Sequence, residues 1–196
     1  MCGRYYVDDE TAREIEKIIR NLDNRLKQTT RQGDIYPTNH AMVLQQEQNT
    51  PVLDAMQWGF PQFKRKGVIF NARSETVLEK RTFSSSAMQR RCLIPAKGFY
   101  EWDKSKNKVS FERPDGQVMF LAGIWNYFEA VPRFVILTTQ ANESMLPVHD
   151  RMPLIIEPDE LDAWLYQEQG MKELLHGKPI ALSQVAGCVQ ETLSLM

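Results

Sequence analysis

The sequence predicts a single α+β domain over residues 1–196, with a barrel-like antiparallel sheet and two to three flanking helices. At 196 residues the chain can bury a sizeable core as one domain. Six apolar stretches fill its middle, and amphipathic helical patterns lie near its two ends. Many short strands with helices outside them are typical of an antiparallel sheet that curves or closes on itself.

Two segments have the spacing of helices. In "DDETAREIEKIIRNLDNRL", Asp8 or Asp9 caps a helix whose apolar side chains share one stripe. The stripe consists of Ile15, Ile18, Ile19, Leu22 and Leu26. In "EPDELDAWLYQEQG", Pro158 occupies the first helical position and Gly170 lies past the end. The next segment, "GMKELLHGK", predicts a short third helix.

The segments between the helices have the composition of strands. They are "AMVLQQE", "PVLDAMQWGF", "KVSFER", "QVMFLAGIW", "RFVILTT" and "PLIIE". Within "FERPDGQVMF", the turn residues Pro114, Asp115 and Gly116 predict a hairpin between two neighbouring strands.

The composition argues against several classes of protein. No apolar run approaches the length of a membrane span, and "MCGRYYVDDET" is not a signal peptide, so we expect a cytoplasmic protein. Three cysteines, Cys2, Cys92 and Cys188, do not suggest a disulfide framework. Because the cysteines and histidines lack the spacing of metal ligands, we predict neither a metal site nor a cofactor.

Charge is unevenly distributed along the chain. The net charge is −1, yet residues 60–91 carry 8 Lys+Arg against 2 Asp+Glu. A local basic surface can attract phosphates even when the whole molecule is near neutral. In "QWGFPQFKRKG", Trp58, Phe60 and Phe63 precede Lys64 and its basic neighbours, and aromatic rings beside positive charge suit a single-stranded nucleic-acid groove. Core packing is the alternative for the rings, and we expect it for at least one of them.

Four polar stretches contain residue types that support nucleophilic, acid–base and phosphate-binding chemistry. They are "CGRYY" with Cys2 and Arg4, "FNARSET" with Asn71 and Arg73, "GFYEW" with Glu101, and "PVHDRMP" with His149 and Arg151. Carboxylates and imidazoles are common general acids and bases, and arginine can hold a phosphate with a forked hydrogen bond. Each also has a plain structural interpretation: ion pairing of the arginines with Glu75, Asp150 or similar partners, a bond from Glu101 to a neighbouring arginine, and a bond from His149 to Asp150.

Seven motifs, in order, resemble the SRAP family of abasic-site processing proteins, first labelled SOS-response-associated peptidases. The motifs are "MCGRYY", "QWGFP", "FNARSET", "RCLIPAKGFYEW", "LAGIW", "LTTQAN" and "PVHDRMPLII", and they extend to about residue 156. The resemblance implies a single α+β domain built around a barrel-like antiparallel sheet with a positively charged groove. It also implies a protein that senses abasic sites in single-stranded DNA and joins them covalently to its N-terminal cysteine.

Carried over position by position, the resemblance assigns roles to eight residues. The catalytic residues are Cys2, Asn71, Glu101 and His149, and the DNA-binding residues are Arg4, Trp58, Arg73 and Arg151. It further implies self-removal of Met1, AP-lyase activity, and no membrane or obligate protein partner. The segment between "WGFP" and "FNARSET" is short, and the tail lacks the family's usual Pro-Val-Ser pattern, but neither departure touches these residues.

Two other functions stay open at this point. The first is a cysteine peptidase or amidohydrolase that uses Cys2 as an N-terminal nucleophile on a carbonyl. The second is a non-catalytic single-strand binder that uses the aromatic and basic segment around residues 58–66, whose affinity would depend on salt and ignore the lesion.

Overall fold

The computed structural model describes residues 2–22, 33–63 and 65–185. The strands are β1 (Tyr5–Val7), β2 (Gly33–Ile35), β3 (His40–Glu47), β4 (Thr50–Trp58), β5 (Phe60–Pro61), β6 (Val68–Ile69), β7 (Asn71–Arg73), β8 (Arg91–Ala96), β9 (Gly98–Trp102), β10 (Lys108–Glu112), β11 (Met119–Phe128), β12 (Val131–Gln140), β13 (Arg151–Pro153), β14 (Ile155–Ile156) and β15 (Ser183–Val185). The helices are α1 (Asp9–Leu22), α2 (Ser84–Gln89), α3 (Leu161–Tyr166) and α4 (Glu168–Leu174), with a 3-10 turn at Ser74–Thr76.

Five strands, β3, β4, β8, β11 and β12, close into a barrel. Neighbouring strands pair antiparallel around the ring, except that β12 meets β4 in parallel where Phe134 lies opposite Trp58. A closed ring leaves no strand edge open to solvent. The predicted barrel-like sheet is therefore confirmed, with one parallel pairing that the sequence pattern did not indicate.

Strand β8 shows how the core is covered. Every residue of β8 is buried, and α2 and α3 pack against it outside the ring. The buried guanidinium of Arg91 donates hydrogen bonds to the carbonyls of Ala87, Met88, Trp164 and Leu165, at or beside the C-terminal ends of these two helices. One arginine thus satisfies carbonyls that a helix end leaves without partners.

A second sheet, in the order β15-β10-β9-β1-β2, brings the start of the chain beside "GFYEW". Strand β1 pairs with β9 through Tyr5 and Phe99. On the barrel, Thr138 of β12 pairs with Arg73 of β7 and with Pro153 of β13, so these two short strands lie on opposite edges of β12. The four polar motifs therefore lie at β1, at β7, at β9 and in the segment that leads into β13.

The helices agree with the predictions only in part. Asp8 caps α1, because its Oδ1 accepts a hydrogen bond from the Thr11 amide at 2.8 Å. Ile15 of the predicted stripe is buried; the side chains of the other stripe residues lie outside the described ones. Within residues 2–22, 33–63 and 65–185, no helix has the length and apolarity needed to cross a membrane.

The predicted helix over "EPDELDAWLYQEQG" is wrong in its boundaries. Pro158 precedes the helical residues, and the extended backbone of Gln167 separates α3 from α4. Gly170 lies within α4 instead of ending a helix, and a Cβ there would come within 2.9 Å of the Ala163 side chain. The glycine thus lets the two helices pack closely. Together with α1 and α2, the described residues contain four α-helices where two or three were predicted.

The predicted hairpin at Pro114–Gly116 is also wrong. A turn forms, with the Gly116 amide donating to the Arg113 carbonyl, but β10 and β11 then separate into different sheets. The Arg113 guanidinium pairs with Asp115 in the turn and with Glu157 after β14. These ion pairs fix the turn where the chain passes from the outer sheet to the barrel.

Candidate active site

Cys2 is buried, with 1% of its surface exposed. Its Sγ lies 3.8 Å from the carbonyl oxygen of Arg4, toward which the thiol points as a weak donor. Burial raises the pKa of the Cys2 thiol well above its ordinary value, and the nearby negative charge of Glu101 raises it further. The thiol is therefore protonated at neutral pH in this state.

Asn71 holds the main chain of Cys2 in place. Its Nδ2 donates a hydrogen bond to the Cys2 carbonyl oxygen at 2.9 Å. Strand β7 fixes the position of this side chain, because Asn71 pairs in parallel with Ile136 of β12. The other amide atom, Oδ1, is buried and has no hydrogen-bond partner among the described residues. An acceptor of this kind beside Cys2 is suited to a donor that arrives with a substrate or a free amine.

Glu101 lies on the face of β9 that points into the protein. It is 4% exposed, and it shares this face with Phe99, because alternate residues of a strand point the same way. Tyr100 and Trp102 occupy the opposite face, so only some of the predicted aromatic rings surround the carboxylate. Glu101 and Cys2 are close enough for the carboxylate charge to act on the thiol.

His149 lies in the loop of residues 141–150 and is partly exposed. Its Nδ1 is 2.9 Å from the main-chain amide of Arg151 and also 2.9 Å from Oδ1 of Asp150. An amide can only donate, so Nδ1 is the acceptor in its contact with Arg151. The predicted contact with Asp150 is therefore present, and it shares Nδ1 with the Arg151 amide.

Arg151 is fixed by an internal ion pair. Its guanidinium forms a fork with the Glu75 carboxylate at 2.6 and 2.8 Å and donates to the Thr138 carbonyl oxygen at 2.6 Å. The bond from Arg151 holds the pKa of Glu75 below its usual value. Nε of Arg151 remains buried without a partner among the described residues. The structural interpretation, a pair with Glu75, is thus correct, and a phosphate would have to bind to an arginine already oriented by it.

Arg4 and Arg73 are more accessible than Arg151. Arg4 pairs with Asp34 at 3.3 Å, and its guanidinium carbon lies 4.5 Å from the centre of the Tyr36 ring. Arg73 is exposed at the end of β7. Neither Asp34 nor Tyr36 was predicted, because both lie about thirty residues from Arg4 and only the pairing of β1 with β2 brings them close. Contact with an aromatic ring fixes the plane of the guanidinium, and its N–H groups can still donate to a phosphate.

The structure corrects the predicted DNA contact of Trp58. Its indole is completely buried, at 0% exposure, and Nε1 donates to the Phe70 carbonyl oxygen at 2.9 Å. The rings of Tyr5 and Phe134 pack against it, with centroids at 5.3 and 6.1 Å. A ring enclosed in this way offers no face to a base. Trp58 is a core residue, as was expected for at least one aromatic residue of this segment.

Phe60 is likewise in the core, and Phe63 alone of the three rings is exposed, at 84%. Arg65 and Lys66 beside it are exposed, while Lys64 lies outside the described residues. The other predicted residues outside them are Met1 and Cys188, so removal of Met1 stays a prediction. Cys92 is buried in the core and takes no part in the site.

No group of three or more histidine, cysteine or acidic side chains in the described part of the chain is arranged to hold a metal ion. The candidate site is a cluster of polar side chains around the buried Cys2. Cys2, just before β1, accepts a hydrogen bond from Asn71 of β7 and lies within electrostatic range of Glu101 of β9. His149 and Arg151 come from the far edge of β12.

A sequence profile of the family described as SOS response associated peptidase (SRAP) matches residues 1–190. The chain belongs to the SRAP family. The resemblance drawn from the seven motifs is thereby confirmed.

This SRAP protein has curated relatives in bacteria and yeast. It is 30% identical over 181 residues to the abasic site processing protein YoqW of Bacillus subtilis, a match that covers 84% of this chain and 80% of YoqW. It is 28% identical over 201 residues to YedK of Escherichia coli, covering 96% and 87% of the two chains. An abasic site processing protein of Saccharomyces cerevisiae is 32% identical over 146 residues, but this match covers only 39% of the yeast protein.

Solved structures share the fold of this SRAP protein. A protein from Bacteroides thetaiotaomicron superposes with a TM-score of 0.75 at 19% identity, covering 93% of this chain and 90% of the other. A protein from Bordetella bronchiseptica gives a TM-score of 0.74 at 23% identity, covering 93% and 98%. At these identities the comparison establishes the fold alone.

Proposed function

We propose that this SRAP protein forms a covalent adduct between Cys2 and the sugar of abasic sites in single-stranded DNA, and so shields the lesion in the cytoplasm. The observation that carries the proposal is the enclosure of Cys2. Asn71 binds its carbonyl oxygen at 2.9 Å, and the buried Glu101 is close enough to raise the pKa of its thiol. The names of the relatives in B. subtilis and E. coli, abasic site processing proteins, support the same substrate.

The chemistry requires that Met1 be removed, because only then does Cys2 present an amine and a thiol together. An abasic deoxyribose opens to an aldehyde, with which an amine condenses to an imine and releases one water. An α-amine has an ordinary pKa of about 7.7–8.0 against about 10.4 for lysine, so far more of it is neutral at pH 7. The thiol then adds to the imine carbon, its proton passes to the nitrogen, and a five-membered thiazolidine ring results.

Three neighbouring groups have roles in this sequence. The Glu101 carboxylate accepts the hydroxyl proton of the closed sugar and passes it to the ring oxygen as the sugar opens. It then transfers the protons that the attacking amine loses to the departing oxygen, and it relays the thiol proton to the nitrogen during ring closure. The unpartnered Oδ1 of Asn71 accepts a hydrogen bond from the α-amine and directs its lone pair to the aldehyde. His149, whose Nδ1 accepts a hydrogen bond from the Arg151 amide, transfers a proton at the sugar.

Arginines bordering the site hold the phosphates on either side of the lesion. Arg73 is exposed and open to a phosphate, Arg4 is oriented by Asp34 and Tyr36, and Arg151 is oriented by Glu75. These contacts position the strand and read no base sequence, so the protein recognises the sugar aldehyde alone. The imine also permits loss of a sugar proton and departure of the 3′ phosphate, which gives AP-lyase activity as a side reaction.

The family description supports a second candidate, an N-terminal-nucleophile peptidase in which the Cys2 thiol attacks a peptide carbonyl. We propose that this activity is confined to self-removal of Met1. The raised pKa of the buried thiol argues against a general peptidase, because a peptidase nucleophile depends on a lowered pKa.

The decisive experiment mixes the purified protein with a fluorescent single-stranded oligonucleotide that carries one abasic site. We expect a heat-stable adduct on a denaturing gel for the wild type, and its mass equals the sum of protein and DNA less one water. The intact mass of the free protein reports whether Met1 has been removed. Cys2→Ala should give no heat-stable adduct.

Cys92→Ala is the matched control, because it also removes one buried thiol but lies away from the site. Cys2→Ser should form an imine that borohydride traps but no stable ring, since the hydroxyl is a poorer nucleophile. A stable adduct with Cys2→Ala, or none with the wild type lacking Met1, would disprove the proposal. Turnover of peptides without any reaction at abasic DNA would favour the peptidase.

A further inference from the structure

We propose that Asn142 is a positioning residue for His149, and that it acts by fastening the loop of residues 141–150 to the segment of residues 179–185. The inference rests on the proposed function in one respect, since it takes His149 as a proton-transfer group. The structural argument itself uses only the hydrogen bonds around Asn142.

The amide of Asn142 uses its full hydrogen-bonding capacity inside the protein. The residue is 6% exposed, and Nδ2 donates to the carbonyl oxygens of Pro179 at 3.0 Å and Ile180 at 2.8 Å. Oδ1 accepts from the Ser144 amide at 3.0 Å and the Ser144 hydroxyl at 2.5 Å. The side chain therefore donates two hydrogen bonds and accepts two. Only an amide can do both here, because a carboxylate has no donor for the two carbonyl groups.

Two main-chain steps connect Asn142 to His149. The carbonyl oxygen of Asn142 accepts from the Met145 amide at 3.1 Å, and the Met145 carbonyl oxygen accepts from the His149 amide at 3.0 Å. The loop is closed by the Ala141 amide, which donates to the Asp150 carbonyl oxygen at 3.0 Å. The position of His149 therefore follows from the conformation that Asn142 gives to the loop.

The segment on the other side of this contact leads to Glu101. The Leu182 amide donates to the Ser144 hydroxyl at 2.9 Å. Strand β15 follows immediately and pairs with β10, where the Ser110 hydroxyl also donates to the Val185 carbonyl oxygen at 2.7 Å. Strand β10 pairs with β9, which carries Glu101. Asn142 thus lies where the loop carrying one acid–base group is joined to the sheet carrying the other.

This arrangement has a consequence for catalysis. A loop without strand pairing shifts easily, and a displacement of about 1 Å in a reacting group can cost about 100-fold in rate. Loss of the Asn142 contacts should therefore slow adduct formation through His149 while Cys2, Asn71 and Glu101 keep their own contacts.

The test measures adduct formation under single-turnover conditions for Asn142→Asp, with Asn126→Asp as a matched control on the β11 strand. The new carboxylate faces the carbonyl oxygens of Pro179 and Ile180, so we expect the rate to fall at least fivefold, and the control to stay within twofold of the wild type. Ser144→Ala is the milder second variant, which removes only the hydroxyl contacts and should slow the reaction in the same direction.

A double-mutant cycle separates positioning from general destabilisation. If Asn142 acts through His149, Asn142→Asp changes the rate by less than twofold when it is made in His149→Ala. Equal slowing in the two backgrounds, or no slowing in either, would overturn the inference.

A spectroscopic measurement keeps the inference independent of the proposed function. We expect the ring nitrogen and proton NMR signals of His149 to shift in Asn142→Asp at constant pH, while those of the distant His40 do not. If the wild type forms no adduct but this shift is seen, the function fails and the positioning role stands. An unchanged His149 spectrum in a folded Asn142→Asp protein overturns the positioning role.

Discussion

Removing the Asn71 side chain should slow adduct formation without weakening DNA binding. Asn71→Ala deletes the 2.9 Å hydrogen bond to the Cys2 carbonyl oxygen and leaves that oxygen unpartnered next to a residue that is 1% exposed. An unsatisfied buried acceptor costs about 1–3 kcal/mol. If the cost falls on the transition state, the rate drops by about 5-fold to about 150-fold, because about 1.4 kcal/mol corresponds to a tenfold change.

Asn71→Asp should be slower than Asn71→Ala. Its carboxylate faces the Cys2 carbonyl oxygen without a donor and adds a second negative charge to that of Glu101 near Cys2. That charge raises the pKa of the Cys2 thiol further and opposes its deprotonation during ring closure. The order of rates is therefore wild type, then alanine, then aspartate.

The assay is a single-turnover time course with a labelled abasic oligonucleotide at saturating protein, with fluorescence anisotropy for binding. Binding should stay within about threefold of the wild type, since the arginines are untouched. An alanine variant that reacts within twofold of the wild type, or an aspartate variant that reacts faster than alanine, would refute the assigned role of Asn71.

Three further predictions concern the frame of the site. Trp58→Phe should lower the free energy of unfolding by about 1–3 kcal/mol, because the buried Phe70 carbonyl loses its donor. The Kd for single-stranded DNA should stay within twofold, and a tenfold weaker Kd at unchanged stability would contradict the core placement. Arg91→Met should lower the free energy of unfolding by about 3–5 kcal/mol and the Tm by about 6–20 °C, measured by thermal unfolding followed by circular dichroism. A loss below about 1 kcal/mol would argue against the role of the Arg91 hydrogen bonds at the two helix ends. The ion pair with Arg113 lowers the pKa of Asp115 from 3.8 to about 2. The stability that this ion pair contributes is therefore complete above about pH 4 and is lost as the pH falls toward about 2. Midpoints of urea unfolding should show this loss in the wild type and not in Arg113→Met.

The barrel was predictable because the local composition of its strand segments is typical of buried strands. The apolar stretches that became β3, β4, β11 and β12 alternate or run continuously in the way that buried strands do. The closing parallel contact between Phe134 and Trp58 was not predictable, since it joins segments about 75 residues apart whose patterns are equally consistent with an open sheet.

Local signals failed where tertiary contacts decide between two conformations. Pro114 and Gly116 do form a turn, but β10 pairs with β9 and β15, and β11 pairs with β8 and β12, so the flanking strands do not pair with each other. Gly170 is a common helix terminator, yet here it is needed for close contact with Ala163. In both cases the residue type fits two structures, and packing or strand pairing outside the local segment selects one.

In the site, too, some residues were recognisable from local motifs, whereas the roles of others depend on tertiary contacts. Cys2, Asn71 and Glu101 were recognisable through their motifs, and the structure brings them into mutual contact or electrostatic range. Trp58 was misassigned because a tryptophan beside basic residues has the same sequence signature whether its ring is exposed or buried. Asp34, which orients Arg4, carries no signal of its own, since its role arises from the pairing of β1 with β2.

For the proposed adduct, we expect the surroundings of Cys2 to set the order in which its two bonds form. Burial and the charge of Glu101 keep the thiol protonated, and a protonated thiol is a poor nucleophile. The α-amine, with an ordinary pKa of about 7.7–8.0, is partly neutral and attacks the aldehyde first. The imine it forms is then the electrophile that the sulfur attacks as its proton passes to a neighbouring base. Because oxidation also requires thiolate character and access, the same burial protects the sulfur until the lesion arrives.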